Sequence, residues 1–544
     1  MKYFILVAAL AAPVPILAQG NVLTQRLDSI AGAEVRARRS VGITAAAYEG
    51  SDRLLLAAYG QADVEADAPM TVETMFPIGS IAKQFTAVAI LQLRDAGKLS
   101  LDDEVTRWLP DLSTGGNRIT VRHLLGHTSG IADLSAMAEL RAAQVLRNPE
   151  LTRDSVYRVI TRYPPTFPAG TLQIYSNTGY WLLGRVIEEA SRMRYEDYLE
   201  KRILAPLGMT RSMYCDDSKP VRNRAVPYMI RDTVSRREPP IVHTATYAAG
   251  AVCSTAGDMI TWLQALNGGR VLSAQSYADL ITPTKLNDGT PTRYGMGTTV
   301  AEDSHGLRYI GHNGGGFGYS SEARWYPDAN LAVVVLTNSE PDAITMAAEG
   351  MAAAVLPPGR APGQFTGDVS RLVGRYKGFD GGGDMIVLVG QGPEGPLFSI
   401  NGQPNEALPW LEGLTFRRRA SLLSFRDGSG PASELHFDTG GDHLVLKRSA
   451  AGAAVMSAPM SAFEGTYEGL RPGRTVRIAV ESDTLRILPS GGGRASLIPE
   501  SGTTFYQGRE GSAQKITFNL APDGKAESMT LTGPGPERTL KRLP

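Results

Sequence analysis

Ser80 and Lys83 stand three positions apart in Ser80-Ile81-Ala82-Lys83, directly after Phe76-Pro77-Ile78-Gly79, where they open a long amphipathic helical pattern that runs to Ala96 and stops at Gly97. On a helix, positions i and i+3 share a face, so the hydroxyl and the amine become neighbours. A serine in the first turn also keeps its backbone N–H free, with the positive end of the helix dipole beside it. Nucleophile, activator and oxyanion donor are thus local to one turn. To accept the hydroxyl proton Lys83 must be neutral, which requires desolvation or a cationic neighbour to hold its pKa far below the ordinary lysine value. A serine N-cap followed by a solvated lysine is the other reading of these four residues taken alone.

Two further constellations follow in chain order. Tyr175-Ser176-Asn177 comes after Pro168-Ala169-Gly170 and before a helical pattern from Thr178 to Arg192. Tyr175 is suited to relay a proton between Ser80 and a leaving group, and Asn177 to bond a substrate amide or to anchor Lys83. Loop chemistry that caps a helix would use the same three residues. His312-Asn313-Gly314-Gly315-Gly316 lies between a strand-like Leu307 to Ile310 and a hairpin. Its glycines permit close backbone approach, and the N–H of Gly315 with that of Ser80 would form an oxyanion hole worth roughly 3 to 4 kcal/mol per donor. His312 would serve as a hydrogen-bond donor or a titrating partner near the acyl group, against the alternative of a surface histidine on a glycine-rich turn. His127, in a phrase ending Thr128-Ser129-Gly130, reads as a residue that fixes backbone carbonyls rather than a catalytic one. The seven histidines show no HExxH or comparable ligand spacing, so neither a metal nor another cofactor is called for.

These residues need a scaffold. Val41 to Tyr48 and Arg53 to Tyr59 flank a polar turn and read as a hairpin, as do Glu322 to Tyr326 and Leu331 to Asn338 around Pro327-Asp328-Ala329-Asn330. Between the hairpins the pattern is mostly helical, including Thr255 to Asn267 before Gly268-Gly269. Strands at both ends with helices between them predict an α+β domain whose antiparallel sheet is closed by distant segments. After the helical run Ala343 to Val355 and Pro357-Pro358-Gly359, glycine and short alternating runs take over, placing a boundary near residue 360.

The remainder contains two copies of one unit. Val373-Gly374-Arg375-Tyr376-Lys377-Gly378 is echoed by Glu464-Gly465-Thr466-Tyr467-Glu468-Gly469, and Leu444-Val445-Leu446-Lys447-Arg448 by Arg538-Thr539-Leu540-Lys541-Arg542. Many short strands at close spacing predict two small antiparallel β-barrels, over 361–450 and 458–544, joined by an Ala- and Ser-rich linker from Ser449 to Pro459.

Composition narrows the functional classes. Lys and Arg number 55 and Asp and Glu 55, so no general field draws nucleic acid or an anionic membrane. Lys2, the apolar stretch from Tyr3 to Pro13 and the small residue Ala18 form a signal-peptide pattern over 1–18, which predicts export to the periplasm or the medium. No later apolar run is long enough to span a bilayer. Cys215 and Cys253 are compatible with a bridge or with two separate thiols.

Together the three motifs resemble the serine β-lactamase and penicillin-binding superfamily, in its class C, esterase and D-aminopeptidase branch, over roughly residues 20 to 356. Family-like phrases run from Ile119 to Gly130, Pro206 to Met209, and Ala249 to Ala256. The resemblance implies a catalytic domain over 19–360, with Ser80 as nucleophile, Lys83 as its base and Tyr175 as second acid/base. Asn177, His312, Asn313, Gly314 and Gly315 would contact substrate, with His312-Asn313-Gly314 standing at the family's Lys-Thr-Gly strand. Members that process β-lactams usually carry lysine there, and a neutral imidazole holds a β-lactam carboxylate less well. That shifts the expected substrate toward small esters and D-configured amides, and the two C-terminal units point the same way, since the D-aminopeptidase branch carries two small β-barrels after its catalytic domain. The alternative function is a penicillin-recognising or cell-wall-binding scaffold without turnover.

Overall fold

The strand Leu331–Thr337 is apolar without alternation because both of its faces are covered. In the computed structural model, Ala332, Val334 and Leu336 enter one hydrophobic core and Leu331, Val333 and Val335 a second. The structure describes residues 16–544 apart from 141–142, 216–220, 232–233, 240, 341–343, 381–383, 393–394, 402–405, 419–420, 427–429, 450–459, 470–472, 482–483, 491–494, 502, 508–514 and 533–536. Most of the expected leader and almost all of the expected linker therefore lie outside the described residues.

The central sheet contains β1 (Gly42–Glu49), β2 (Asp52–Asp63), β3 (Thr299–Glu302), β4 (Arg308–Gly316), β5 (Tyr319–Tyr326) and β6 (Leu331–Thr337). Its order is β2-β1-β6-β5-β4-β3, with the short strand Ala68–Pro69 outside β2, and every pairing is antiparallel. Closure by distant segments is literal, since Ile43 pairs with Thr337 and Glu49 with Leu331. One face carries α1 (Ile16–Arg36) and α5 (Ile344–Val355). The other carries α2 (Ala82–Asp95), α3 (Asn177–Ser191) and α4 (Ala256–Asn267) within the larger core.

The amphipathic expectation for α2 is corrected. Nearly every residue of it is buried, Lys83, Gln84 and Thr86 included. Its polar side chains are satisfied internally rather than by water: Gln84 Nε2 donates to Thr298 Oγ1 and Gln84 Oε1 accepts from Trp262 Nε1, while Thr86 Oγ1 donates to the Ala248 carbonyl. Ser80 itself precedes the helix, in a 3-10 turn over Gly79–Ile81.

Beyond α5 come two all-antiparallel β modules with separate cores. The first is a nine-stranded curled sheet whose end strands, Glu406–Ala407 and Trp410–Glu412, are not paired with each other, which makes it a half-barrel. The second has eight strands in sequence order, and the Tyr467–Arg542 bridge brings its first and last strands together. The repeated phrases occupy equivalent places. Tyr376 Oη donates to the Leu372 carbonyl and Tyr467 Oη to that of Phe463, both at 2.8 Å. Arg448 lies against Gly374 as Arg542 does against Gly465. The same tyrosine and arginine contacts in both copies explain why those residues recur.

Candidate active site

Gly79 and Gly314 decide how closely the Ser80 turn meets the sheet. Gly79 has φ +52°, and a Cβ on it would lie 2.9 Å from Gly315 N; a Cβ on Gly314 would lie 2.1 Å from the Ile78 carbonyl and 2.9 Å from Ser80 N. Two backbones thus pack where no side chain fits, with Gly79 against the Gly315 nitrogen and Gly314 against that of Ser80. The expected use of these glycines was approach to a ligand; the structure adds the approach of one backbone to another. From residue 312 onward β4 has a free edge, because β3 pairs only with Arg308 to Gly311.

Lys83 is fully buried and its Nζ has three partners: Ser80 Oγ at 3.0 Å, Asn177 Oδ1 at 2.8 Å and the Ala249 carbonyl at 2.9 Å. A neutral amine has two N–H bonds and one lone pair. The amide and the carbonyl can only accept, so they take both hydrogens and the lone pair is left facing the Ser80 hydroxyl. Burial lowers the lysine pKa to about 7, against the opposing pull of the Asp133 carboxylate. The cationic neighbour considered from sequence is thus replaced by an anionic one, and desolvation alone drives the shift. The Ala249 carbonyl comes from the helix His243–Gly250, which is broken at the strained Tyr247 (φ 37°, ψ −126°).

Tyr175 lies beside this pair, its ring centroid 4.8 Å from Lys83 Nζ. Its hydroxyl is buried without a hydrogen-bond partner among the described residues, and burial raises its pKa although the nearby Ser80 hydroxyl works against this. A neutral phenol with no such partner next to the Ser80 hydroxyl can give a proton to a departing group. Asn177 spends its Oδ1 on Lys83, leaving Nδ2 for substrate, and its backbone N–H donates to Asp133 at 2.6 Å.

His312 stays neutral, because burial and the Lys83 charge push its pKa down to about 3. Its Nδ1 faces its neighbour's carbonyl, Asn313 O, at 2.5 Å, and its Nε2 faces Tyr294 Oη at 2.9 Å, so both ring nitrogens are engaged within the protein. His127 is buried beneath Tyr175, with ring centroids 4.3 Å apart. Its Nδ1 accepts from the Ser176 amide, so it fixes a backbone N–H where a carbonyl was expected.

Ser80, Tyr175, His312, Asn313, Gly314 and Gly315 line one cleft of about 430 Å³. Lys83 sits beneath it, and Asn177 lines two adjoining cavities. Thr439, Gly441 and Asp442, from the first β module, also line this cleft. They were missed from sequence, since a Thr-Gly-Gly-Asp turn between two strands carries no signal that it meets a site far upstream. Asp442 Oδ1 accepts from the Tyr175 amide at 2.7 Å, and the backbone of His443 bonds the Gln173 carbonyl. Asp442 is half-buried, and no cation lies within ion-pair distance of it among the described residues. Burial raises its pKa.

Cys215 and Cys253 are bonded, with Cα atoms 5.4 Å apart. They stand beside His243 in the one grouping of three residues of metal-ligating type among the described residues, with both sulfurs committed to the bridge. No described helix is long and apolar enough to cross a membrane.

Comparison with known proteins agrees with this architecture. The beta-lactamase family profile matches residues 27–356. A penicillin-binding protein of Bacillus subtilis is 30% identical over 313 residues, covering 55% of this chain and 68% of its own. A D-aminopeptidase of Brucella ovis is 29% identical over 415 residues, covering 74% and 77%. The crystal structure of a D-stereospecific amidohydrolase from Streptomyces sp. superposes with TM-score 0.52 at 28% identity, covering 59% of this chain and 97% of that one. With the Ser80, Lys83 and Tyr175 arrangement on the family's sheet-and-helix frame, the chain belongs to the beta-lactamase family and is a serine hydrolase.

Proposed function

We propose that this hydrolase cleaves small amides or peptides whose acyl residue is a D-amino acid with a free amine. The observation that carries this reading is Asp442, a carboxylate with no cation beside it among the described residues, which the first β module places in the same cleft as Ser80. A substrate ammonium would supply the missing charge in a partly desolvated site, where a charged hydrogen bond contributes about 1.5 to 3 kcal/mol. The D-configuration draws on the relatives named as a D-aminopeptidase and a D-stereospecific amidohydrolase. A neutral His312 where β-lactam-processing members usually carry lysine argues against antibiotic carboxylates as the preferred ligand.

In this mechanism neutral Lys83 takes the Ser80 proton as Oγ attacks the carbonyl carbon. The oxyanion forms against the amides of Ser80 and Gly315. Tyr175 passes a proton to the leaving amine as the C–N bond breaks, giving an acyl-enzyme and a free amine, and water then attacks the ester by the reverse use of the same groups. Asn177 holds Lys83 by Oδ1, while Asn313, Gly314 and His312 border the free edge of β4 along which the substrate would lie. Nothing in the site or in the relatives favours the non-catalytic scaffold alternative. Export to the periplasm or medium belongs to the same proposal, supported by the leader pattern and by a disulfide of the kind oxidising compartments maintain.

The test is a turnover comparison of wild type and Ser80→Ala on D- and L-alanine p-nitroanilide, N-acetyl-D-alanine p-nitroanilide, p-nitrophenyl acetate and nitrocefin. Ser80-dependent hydrolysis that favours the free D-anilide is expected. Preference for the acetylated or L-configured anilide, or turnover of the ester alone, would overturn the substrate assignment.

A further inference from the structure

The turn between β4 and β5 breaks a local rule. Gly316 pairs with Tyr319, so the loop is the two residues Phe317 and Gly318, with φ +58° and +84°. Positive φ at both central positions is the signature of a type I′ turn, in which the first position favours Asn, Asp or Gly. Gly318 is obligatory, since a Cβ there would meet Tyr228 N and Pro227 Cβ at 2.8 Å. Phenylalanine at 317 is not; it holds a bulky side chain in a conformation that L residues avoid. Strain kept at a site asks what the side chain does there.

The ring lines a cavity of about 220 Å³ that Ser80 also lines. Its other apolar walls are Leu134, Leu140, Leu146, Ile241 and Ala245, and Gly79 and Gly315 form the side nearest the oxyanion donors. Ser80 thus stands between the more polar cleft that holds Asp442 and this mostly apolar cavity, whose polar lining is Asp133, Ser135, Asn177 and Thr246.

We infer that the cavity receives the side chain of the acyl residue, and that Phe317 is a specificity residue that makes the enzyme prefer large apolar D-residues over D-alanine. The inference rests on the proposed D-amide reading. With the carbonyl at Ser80 and Gly315, the ammonium at Asp442 and the side chain against Phe317, the substrate Cα is held at three points. Three-point attachment admits one enantiomer, because exchanging hand places hydrogen rather than the side chain in the pocket. A pocket of this kind discriminates by about 10- to 200-fold per methylene filled, which sets the scale of the expected preference.

The experiment measures kcat/KM of wild type, Phe317→Asn and Ile241→Trp on the p-nitroanilides of D-alanine, D-leucine and D-phenylalanine, with the Tm of each protein. Wild type is expected to favour D-leucine or D-phenylalanine over D-alanine by at least about tenfold. Phe317→Asn gives the turn a residue it prefers, so its Tm is expected to equal or exceed that of wild type while the D-leucine to D-alanine ratio falls by about tenfold or more. Ile241→Trp fills the cavity from its rim and should lower the same ratio. A wild-type preference for D-alanine, or ratios within about twofold of wild type in both variants, would overturn the inference, as would a lowered Tm in Phe317→Asn with specificity intact. If no anilide is turned over, the amide reading has failed by itself. The p-nitrophenyl hexanoate to acetate ratio on the same proteins then decides, a fall in both variants upholding the pocket and an unchanged ratio rejecting it.

Discussion

The backbone N–H of Tyr175 donates to Asp442 Oδ1 at 2.7 Å, although the two residues are 267 positions apart in the chain. That bond ties the turn of a β module to the residue that stands over Lys83. A Cβ on Gly441 would lie 3.1 Å from the Tyr175 ring, so the turn presses on the ring as well as bonding its backbone. The module is therefore part of the cleft wall.

Asp442→Asn should keep a hydrogen-bond acceptor for the Tyr175 amide while removing the charge. The ratio of kcat/KM for D-alanine p-nitroanilide to that for its N-acetyl derivative is expected to fall by roughly 10- to 100-fold, the equivalent of losing one charged hydrogen bond. An unchanged ratio would show that Asp442 does not meet the substrate amine.

The pH profile reports on Lys83. In the proposed mechanism its active form is the neutral amine, so kcat/KM should decline as pH falls through about 7, where burial has brought its pKa. His312 titrates near 3 and does not contribute to that limb. The Asp133 charge favours the protonated amine, so Asp133→Asn should lower the Lys83 pKa further and move the acid limb to lower pH. A limb that stays in place or moves upward in this variant would contradict the assignment.

Gly79→Ala combines a strained backbone with a Cβ 2.9 Å from Gly315 N, whereas Gly97, with φ +66°, has nothing within 4 Å of its would-be Cβ. Gly97→Ala should cost about 1 to 2 kcal/mol of stability from the backbone conformation alone, and Gly79→Ala more, because its Cβ also meets backbone. Only Gly79→Ala should also lower kcat, by roughly 10²- to 10³-fold if an oxyanion donor is displaced. Thermal melts and steady-state kinetics on the pair separate the two effects.

The Cys215–Cys253 bridge closes a loop with a sequence separation of 38, and Cys253 pairs with Pro77 on the strand leading into the nucleophile turn. The double variant Cys215→Ala/Cys253→Ala is expected to lose about 4 kcal/mol from the catalytic domain by loop-entropy reasoning. Denaturant unfolding followed with and without a dithiol reductant tests this: wild type should respond to the reductant and the variant should not.

What the chain determined by itself is what lies within one turn or one strand. Ser80 and Lys83 meet through helical spacing, the paired hairpins announce themselves by alternation and turn residues, and the glycine at 314 marks close approach. The module repeat is legible because Tyr376 and Tyr467 make the same local contact four residues back. Tertiary structure decided the rest. Whether Lys83 is neutral depends on its burial and on the Ala249 carbonyl 166 positions away, and no local pattern encodes a desolvation energy. The pairing of Cys215 with Cys253, the placement of Asp442 in the cleft and the seating of Phe317 against Ser80's apolar side all depend on where distant segments end up in space. A residue's type and spacing state what chemistry it could do; only the packed chain sets the distance, the partner and the solvent exposure that make it do so.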